Sequence, residues 1–286
     1  MAVAQNINET ATCEVFYETF GSADHPTLVL VNGLGSQCIN YPAAWCEMFA
    51  AEGFHVVRMD NRDVGLSSSF VDAPGGDGGN AYVLSDMAAD VIAVLDAIGV
   101  ERAHVMGLSM GGMIVQVLAI EFSHRLRSMT SVMSSTGEPG FGTSTEGAFA
   151  LLTAPGATDL ASSVRAHIDG LREWGSPEFA DDARWTVDAE AAFNRSFRPD
   201  GTARQFLAVR ASAPRAEALR KVTVPTLVLH GDKDTLIDQS GGRRTAELIP
   251  GAQFVLIEGL GHDYPPQLWP RWTSLVTTFC RNVDRN

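Results

Sequence analysis

The sequence predicts an α/β fold: a doubly wound, mostly parallel sheet with a helical lid inserted between two late core strands. Three observations carry that prediction. Short apolar runs recur along the chain and stop at glycine or asparagine, as strands buried on both faces do. Stretches with the apolar spacing of amphipathic helices alternate with those runs. Between about residues 136 and 222 the alternation stops and only helical patterns remain.

The elements follow in order. Residues 13–21, "CEVFYETFG", alternate and end in glycine, which reads as an early strand. "TLVLVNG" (27–33) is a buried strand stopped by Asn-Gly, and "YPAAWCEMFAAEG" (41–53) is a short helix with a glycine stop. "HVVRMD" (55–60) is a second buried strand. From Leu84 the apolar residues Met87, Ala88, Val91, Val94, Leu95 and Ile98 trace one helical face, with Ser85 or Asp86 suited to its start. "AHVMGL" (103–108) is a strand that runs straight into a helix over 110–122. Further strands fall at 126–135, 226–231 and 254–259, and a last helix at roughly 266–282. Within the insertion, 159–175 and 202–222 each read as a helix. The chain therefore divides into a core of 1–135 and 223–286 and a helical lid of 136–222.

The bulk composition narrows the function. Of 286 residues 45% are hydrophobic, enough for a sizeable core, and the formal net charge is −13. An acidic surface repels phosphate backbones and anionic lipid, so neither nucleic acid nor membrane is an expected partner. Homo-oligomerisation is left open. The four cysteines form no CxxC pair, which predicts free thiols rather than a zinc or redox framework. The first residues show no basic and apolar leader pattern, so the expected location is the cytoplasm.

The chemistry concentrates at Gly107-Leu108-Ser109-Met110-Gly111. A serine between glycines at a strand-to-helix junction fits a tight turn that exposes its hydroxyl. A serine hydroxyl is a poor nucleophile at neutral pH. It needs a base, and the base needs an orienting carboxylate. Two later strand ends supply both: "TLVLHGDKDTLI" delivers Asp232 and Asp234, and "FVLIEGLGHDYPP" delivers His262. Asp234 is preferred because it lies further out, whereas Asp232 suits an Asx-type bond in the turn. Asp263 is expected to point away. Of the other histidines, His25, His124 and His167 read as surface residues, His55 and His104 begin strands at the far end of the sheet, and His230 suits a structural hydrogen bond. The order Ser109, Asp234, His262 is that of α/β-hydrolases.

With "LVNGLG", "RMDNRDVGLSS", "GLSMGG", "LHGDKD" and "GLGH", the chain resembles the α/β-hydrolase fold superfamily over almost its whole length. "NRDVGLSS" with "HVMGLSMGGMIVQ" is most similar to the bacterial esterases that include aclacinomycin methylesterase. The resemblance implies an oxyanion hole from the backbone N–H groups of Leu34 and Met110. It also shows two departures: Asn32-Gly33 stands where His-Gly is common, and Asp63 replaces a glycine. Relatives that attack with Asp, the haloalkane dehalogenases and epoxide hydrolases, are set apart by Ser109.

The expected function is cleavage of a carboxylic ester of an apolar, uncharged small molecule through an acyl-enzyme, with no metal or organic cofactor. The same triad also serves cofactor-free perhydrolases and C–C hydrolases, and a non-catalytic ligand receptor is the alternative of another class. Candidate substrate contacts are Gly33, Trp45, Trp174 and Trp185. Most of the insertion's aromatic residues (Trp174, Trp185, Phe193, Phe197 and Phe206) are expected to pack within it, with one or two lining a pocket. Cys38 and Trp45 follow the oxyanion loop and are expected near it.

Overall fold

A computed structural model of the chain describes residues 2–7, 12–72 and 81–285. Eight strands form one sheet in the order β1-β2-β4-β3-β5-β6-β7-β8. They are β1 (Ala2–Ile7), β2 (Thr12–Phe20), β3 (Thr27–Val31), β4 (His55–Met59), β5 (Ala103–Leu108), β6 (Leu126–Val132), β7 (Thr226–Gly231) and β8 (Gln253–Ile257). β1 and β2 pair antiparallel, as do β2 and β4, and the other pairs are parallel. The central strands β3, β4, β5 and β7 are buried at every position, which accounts for their unbroken apolar runs. β1 carries too polar a pattern (AVAQNI) to have been read as a strand, and it forms by pairing along β2.

Helices cover both faces. α1 (Ala43–Ala51) and α10 (Trp269–Arg285) pack one side, around Trp45, Phe49, Trp272 and Val276. α2 (Leu84–Ala97) and α3 (Met110–Glu121) pack the other, around Met87, Val91, Ile114 and Leu118. α2 does not begin on a Ser85 cap. Asp86 reaches back to accept the Val83 N–H at 2.9 Å, while Ser85 turns its hydroxyl to Glu121.

The chain leaves β3 for β4 on one side and then crosses to β5 on the other. That reversal opens a crevice beyond the carboxyl ends of β3 and β5, where doubly wound sheets place their ligands. Between β6 and β7 lie α4 (Glu146–Leu152), α5 (Leu160–Trp174), α6 (Asp182–Arg195), α7 (Pro199–Ala211) and α8 (Ala216–Leu219). The pattern over 202–222 is therefore two helices and not one, because Pro214 follows the end of α7 and cannot continue it. α4, α6 and the core helix α9 (Ser240–Leu248) were not legible as separate elements. Among the described residues no helix is long and apolar enough to cross a membrane.

The inserted helices dock on the loop after β4 through paired side chains. Arg204 of α7 grips Asp63 with two hydrogen bonds, of 2.9 and 2.7 Å. Arg195 of α6 binds Asp60 at 2.7 Å and the Gln37 side chain at 2.7 Å. Asp63 sits in left-handed backbone, at φ 72°. Here a glycine would be relaxed, but only the aspartate provides the Arg204 partner.

Candidate active site

Ser109 occupies the turn from β5 to α3 with φ 56° and ψ −118°, a conformation that L-residues rarely hold. The flanking glycines make it possible. A Cβ on Gly107 would sit 2.0 Å from the Gly111 carbonyl oxygen, and one on Gly111 would sit 2.2 Å from that of Val31. The turn is so tight that any side chain at either position would push the helix off the sheet.

The Ser109 hydroxyl donates to His262 Nε2 at 2.9 Å. His262 Nδ1 lies 2.7 Å from Asp234 Oδ2, so this nitrogen carries the proton and Nε2 keeps its lone pair. The other oxygen of Asp234 accepts the backbone N–H groups of Leu236 (3.0 Å) and Ile237 (2.8 Å). Burial opposes the Asp234 charge, but the His262 charge and hydrogen bonds from His230 and His262 outweigh it and hold the group at about 2. His230 Nε2 donates to the Ile237 carbonyl at 2.8 Å and lies 3.4 Å from Asp234 Oδ2. Asp232 does not form the expected bond within its own turn; it accepts the Gly259 N–H at 2.6 Å, tying two strand ends together.

The loop bearing His262 rests on the end of α5. His262 donates its backbone N–H to the Trp174 carbonyl, and Gly261 donates to the Ser176 hydroxyl at 2.9 Å. A Cβ on Gly261 would lie 2.3 Å from the Gly175 carbonyl carbon, which explains the glycine before the histidine. Asp263, expected to point away, is buried beside this contact. It accepts the Ser176 hydroxyl, and burial pushes its carboxyl up.

Met110 opens α3, and no hydrogen bond satisfies its N–H or that of Leu34 among the described residues. Both residues line the cavity that contains Ser109 and His262. Gln205 of α7 steadies the loop by accepting the Gly35 N–H at 2.8 Å and donating to the Arg62 carbonyl at 2.7 Å. Asn32, in place of the common histidine, donates to the Gln37 carbonyl at 3.1 Å and accepts from Asn61 at 3.0 Å.

The cavity measures about 810 Å³. Gly33, Trp174, Trp185 and Phe206 line it, whereas Phe193 and Phe197 pack on each other with ring centres 4.4 Å apart. Trp45 is a correction. It is fully buried beneath the sheet, donates to Thr273 at 3.2 Å and stacks on Trp269, because α1 turns its apolar face to α10. Cys38 is likewise buried, against Asp60 and Arg195, and outside the cavity lining. His167 is the second correction, since it lines the cavity rather than the outer surface. The signal was present: Leu160, Val164, His167, Leu171 and Trp174 form one stripe along α5 at spacings of four and three.

Residues 26–264 match the protein family described as the alpha/beta hydrolase fold. The chain belongs to that family. This α/β-hydrolase is similar to rhodomycin D methylesterase DauP of Streptomyces sp. (strain C5), with 28% identity covering 85% of this chain and 86% of the relative. It is also similar to 3-oxoadipate enol-lactonase 2 of Acinetobacter baylyi (strain ATCC 33305 / BD413 / ADP1), with 26% identity over 85% and 84% of the two chains. Among solved structures, the esterase RhEst1 from Rhodococcus sp. ECU1013 superposes with a TM-score of 0.77 at 25% identity, covering 99% of this chain and 100% of that one. The chain is a hydrolase, and the resemblance to bacterial methylesterases drawn from its motifs holds.

Proposed function

We propose that this α/β-hydrolase cleaves carboxylic esters of a bulky, uncharged acyl compound with a small alcohol, through an acyl-Ser109 intermediate. The observation that carries the reading is the continuous hydrogen-bonded chain Ser109–His262–Asp234 at 2.9 and 2.7 Å.

Ser109 Oγ attacks the ester carbonyl while its proton passes to His262 Nε2. Asp234 holds the Nδ1 proton in place and offsets the imidazolium charge. The carbonyl oxygen, now an oxyanion, receives the unpaired N–H groups of Leu34 and Met110, worth roughly 3–4 kcal/mol per donor in a dry site. The tetrahedral carbon then expels the alkoxide, which takes the proton from His262 and leaves as the alcohol. Water enters, gives a proton to His262 and attacks the acyl carbon. Collapse breaks the bond to Ser109, returns its proton and releases the carboxylic acid.

Three further features support the substrate class. The cavity lies in the upper part of the range of ~300–1,000 Å³ typical of small-molecule sites, which leaves room for a bulky acyl group. Leu34, Met113, Leu171, Trp174, Trp185 and Phe206 give it a largely apolar lining. The similar rhodomycin D methylesterases are named for release of a methyl group from an ester. Residues 136–222 act in this reading as the cap that closes the site.

The test is active-site labelling with a fluorophosphonate. The label is expected on the peptide carrying Ser109, with matching loss of p-nitrophenyl ester hydrolysis. A folded protein that neither takes the label nor turns over the ester defeats the reading.

A further inference from the structure

The roof of the cavity contains polar groups that the reaction does not use. His167 from α5 and Arg184, Trp185 and Asp188 from α6 all line it. Arg184 Nη1 reaches Asp188 only at 3.4 Å, and its side chain makes no other hydrogen bond among the described residues. The Trp185 Nε1–H also lacks a partner, but it is buried below the cavity surface, out of a ligand's reach. Neither His167 ring nitrogen is hydrogen-bonded within the described protein. His167 and Arg184 are only partly buried, and polar side chains without strong protein partners on the wall of a cavity are the ones free to orient a ligand.

We propose that His167 and Arg184 form a polar subsite for a hydroxyl or ketone oxygen on the part of the ester remote from the scissile carbonyl. The proposal takes the identity of the ligand, an ester, from the function proposed above.

Charge decides between ligand classes. A cationic group would meet Arg184, and an anionic group would meet Asp188 and the buried Asp263, which also lines the cavity. A neutral oxygen meets neither penalty and accepts from the guanidinium. Burial and the Arg184 charge hold His167 at about 4, so at pH 7 the neutral ring offers one donor and one acceptor. The donor suits a ketone and the acceptor suits a hydroxyl. The substrate is therefore an oxygenated ring system and not a plain hydrocarbon ester.

The test measures binding without turnover, in Ser109→Ala, by calorimetry with methyl 6-hydroxy-2-naphthoate and methyl 2-naphthoate. The hydroxylated ester is expected to bind about tenfold more tightly, the value of one hydrogen bond to a charged group. His167→Phe and Arg184→Met, each added to Ser109→Ala, are expected to reduce that ratio to within about twofold. His167→Asn, which keeps a donor and an acceptor, is expected to retain most of it. Equal affinities for the two esters in Ser109→Ala overturn the proposal even if a roof variant fails to fold. A preference that survives in both the His167→Phe and Arg184→Met proteins also overturns it. Hydrolysis of p-nitrophenyl acetate by the wild-type enzyme is measured alongside. Its absence defeats the ester-hydrolase reading, while the affinity ratio still judges the subsite.

Discussion

The floor and the roof of the cavity handle polarity in opposite ways. On the floor the reactive groups satisfy one another: Ser109 is bonded to His262, His262 to Asp234, and Asp234 to two backbone N–H groups. The Leu34 and Met110 N–H groups stay open, where the oxyanion is expected to form. In the roof, the His167 ring lacks a protein partner among the described residues, and Arg184 has one long contact. A chain of groups already bonded in the reactive order needs little rearrangement to do chemistry. A set of open donors has its full value only when a ligand arrives. In the proposed function the floor carries the reaction, and the roof carries the choice of substrate.

Removing the floor's nucleophile gives the largest expected effect. Ser109→Ala is expected to lower kcat for p-nitrophenyl butyrate by ~10⁴ to 10⁶-fold, with the circular dichroism spectrum unchanged. A loss of under tenfold would break the contrast at its centre. Asp234→Asn keeps the shape of the carboxylate but not its charge, and a fall in kcat of roughly 10⁴-fold is expected.

The seam between floor and cap comes next. Arg204 and Asp63 are buried and paired, so Arg204→Met leaves a carboxylate without its partner. Urea unfolding is expected to show a loss of about 3–5 kcal/mol. Asp63→Gly added to Arg204→Met removes the stranded charge and relieves the left-handed backbone, so at least half of that loss should return.

The smallest effects are pH-dependent, and floor and roof lose stability at different acidities. Asp234 titrates at about 2 in the folded protein against an ordinary value of 3.8, so its contribution is present above pH 3.8 and is lost as pH falls towards 2. His167 titrates at about 4 against 6.5, so the unfolded chain takes up that proton first. Its contribution is full above pH 6.5 and fades between 6.5 and 4. Thermal unfolding across that window should decline less steeply in His167→Phe, by on the order of 1 kcal/mol.

Legibility followed the same division. The floor could be read because each of its parts needs a residue type that leaves a mark in the sequence. Gly107 and Gly111 allow the backbones to meet, and Asp234 and His262 follow apolar strands at short intervals. The roof could not be read in that way. α5 and α6 are amphipathic helices whose stripes show which residues turn inward, but not whether they meet packed side chains or open space. His167 belongs to such a stripe although its sequence surroundings look like a surface, and Trp45 follows the oxyanion loop in sequence although its helix carries it under the sheet. β1, with its polar pattern, exists through its pairing with β2.

By itself the sequence determined the alternation of strands and helices, the place of the insertion, and the order of the serine, aspartate and histidine. These depend on local periodicity and on turns that demand glycine, so each is written in its own short stretch of the chain. The tertiary structure alone decided which side chains share the cavity, how Arg195 and Arg204 fasten the inserted helices, and which polar groups in the roof remain open. Those outcomes depend on tertiary contacts such as Arg195 with Asp60 and Arg204 with Asp63, whose distances and angles no local pattern contains.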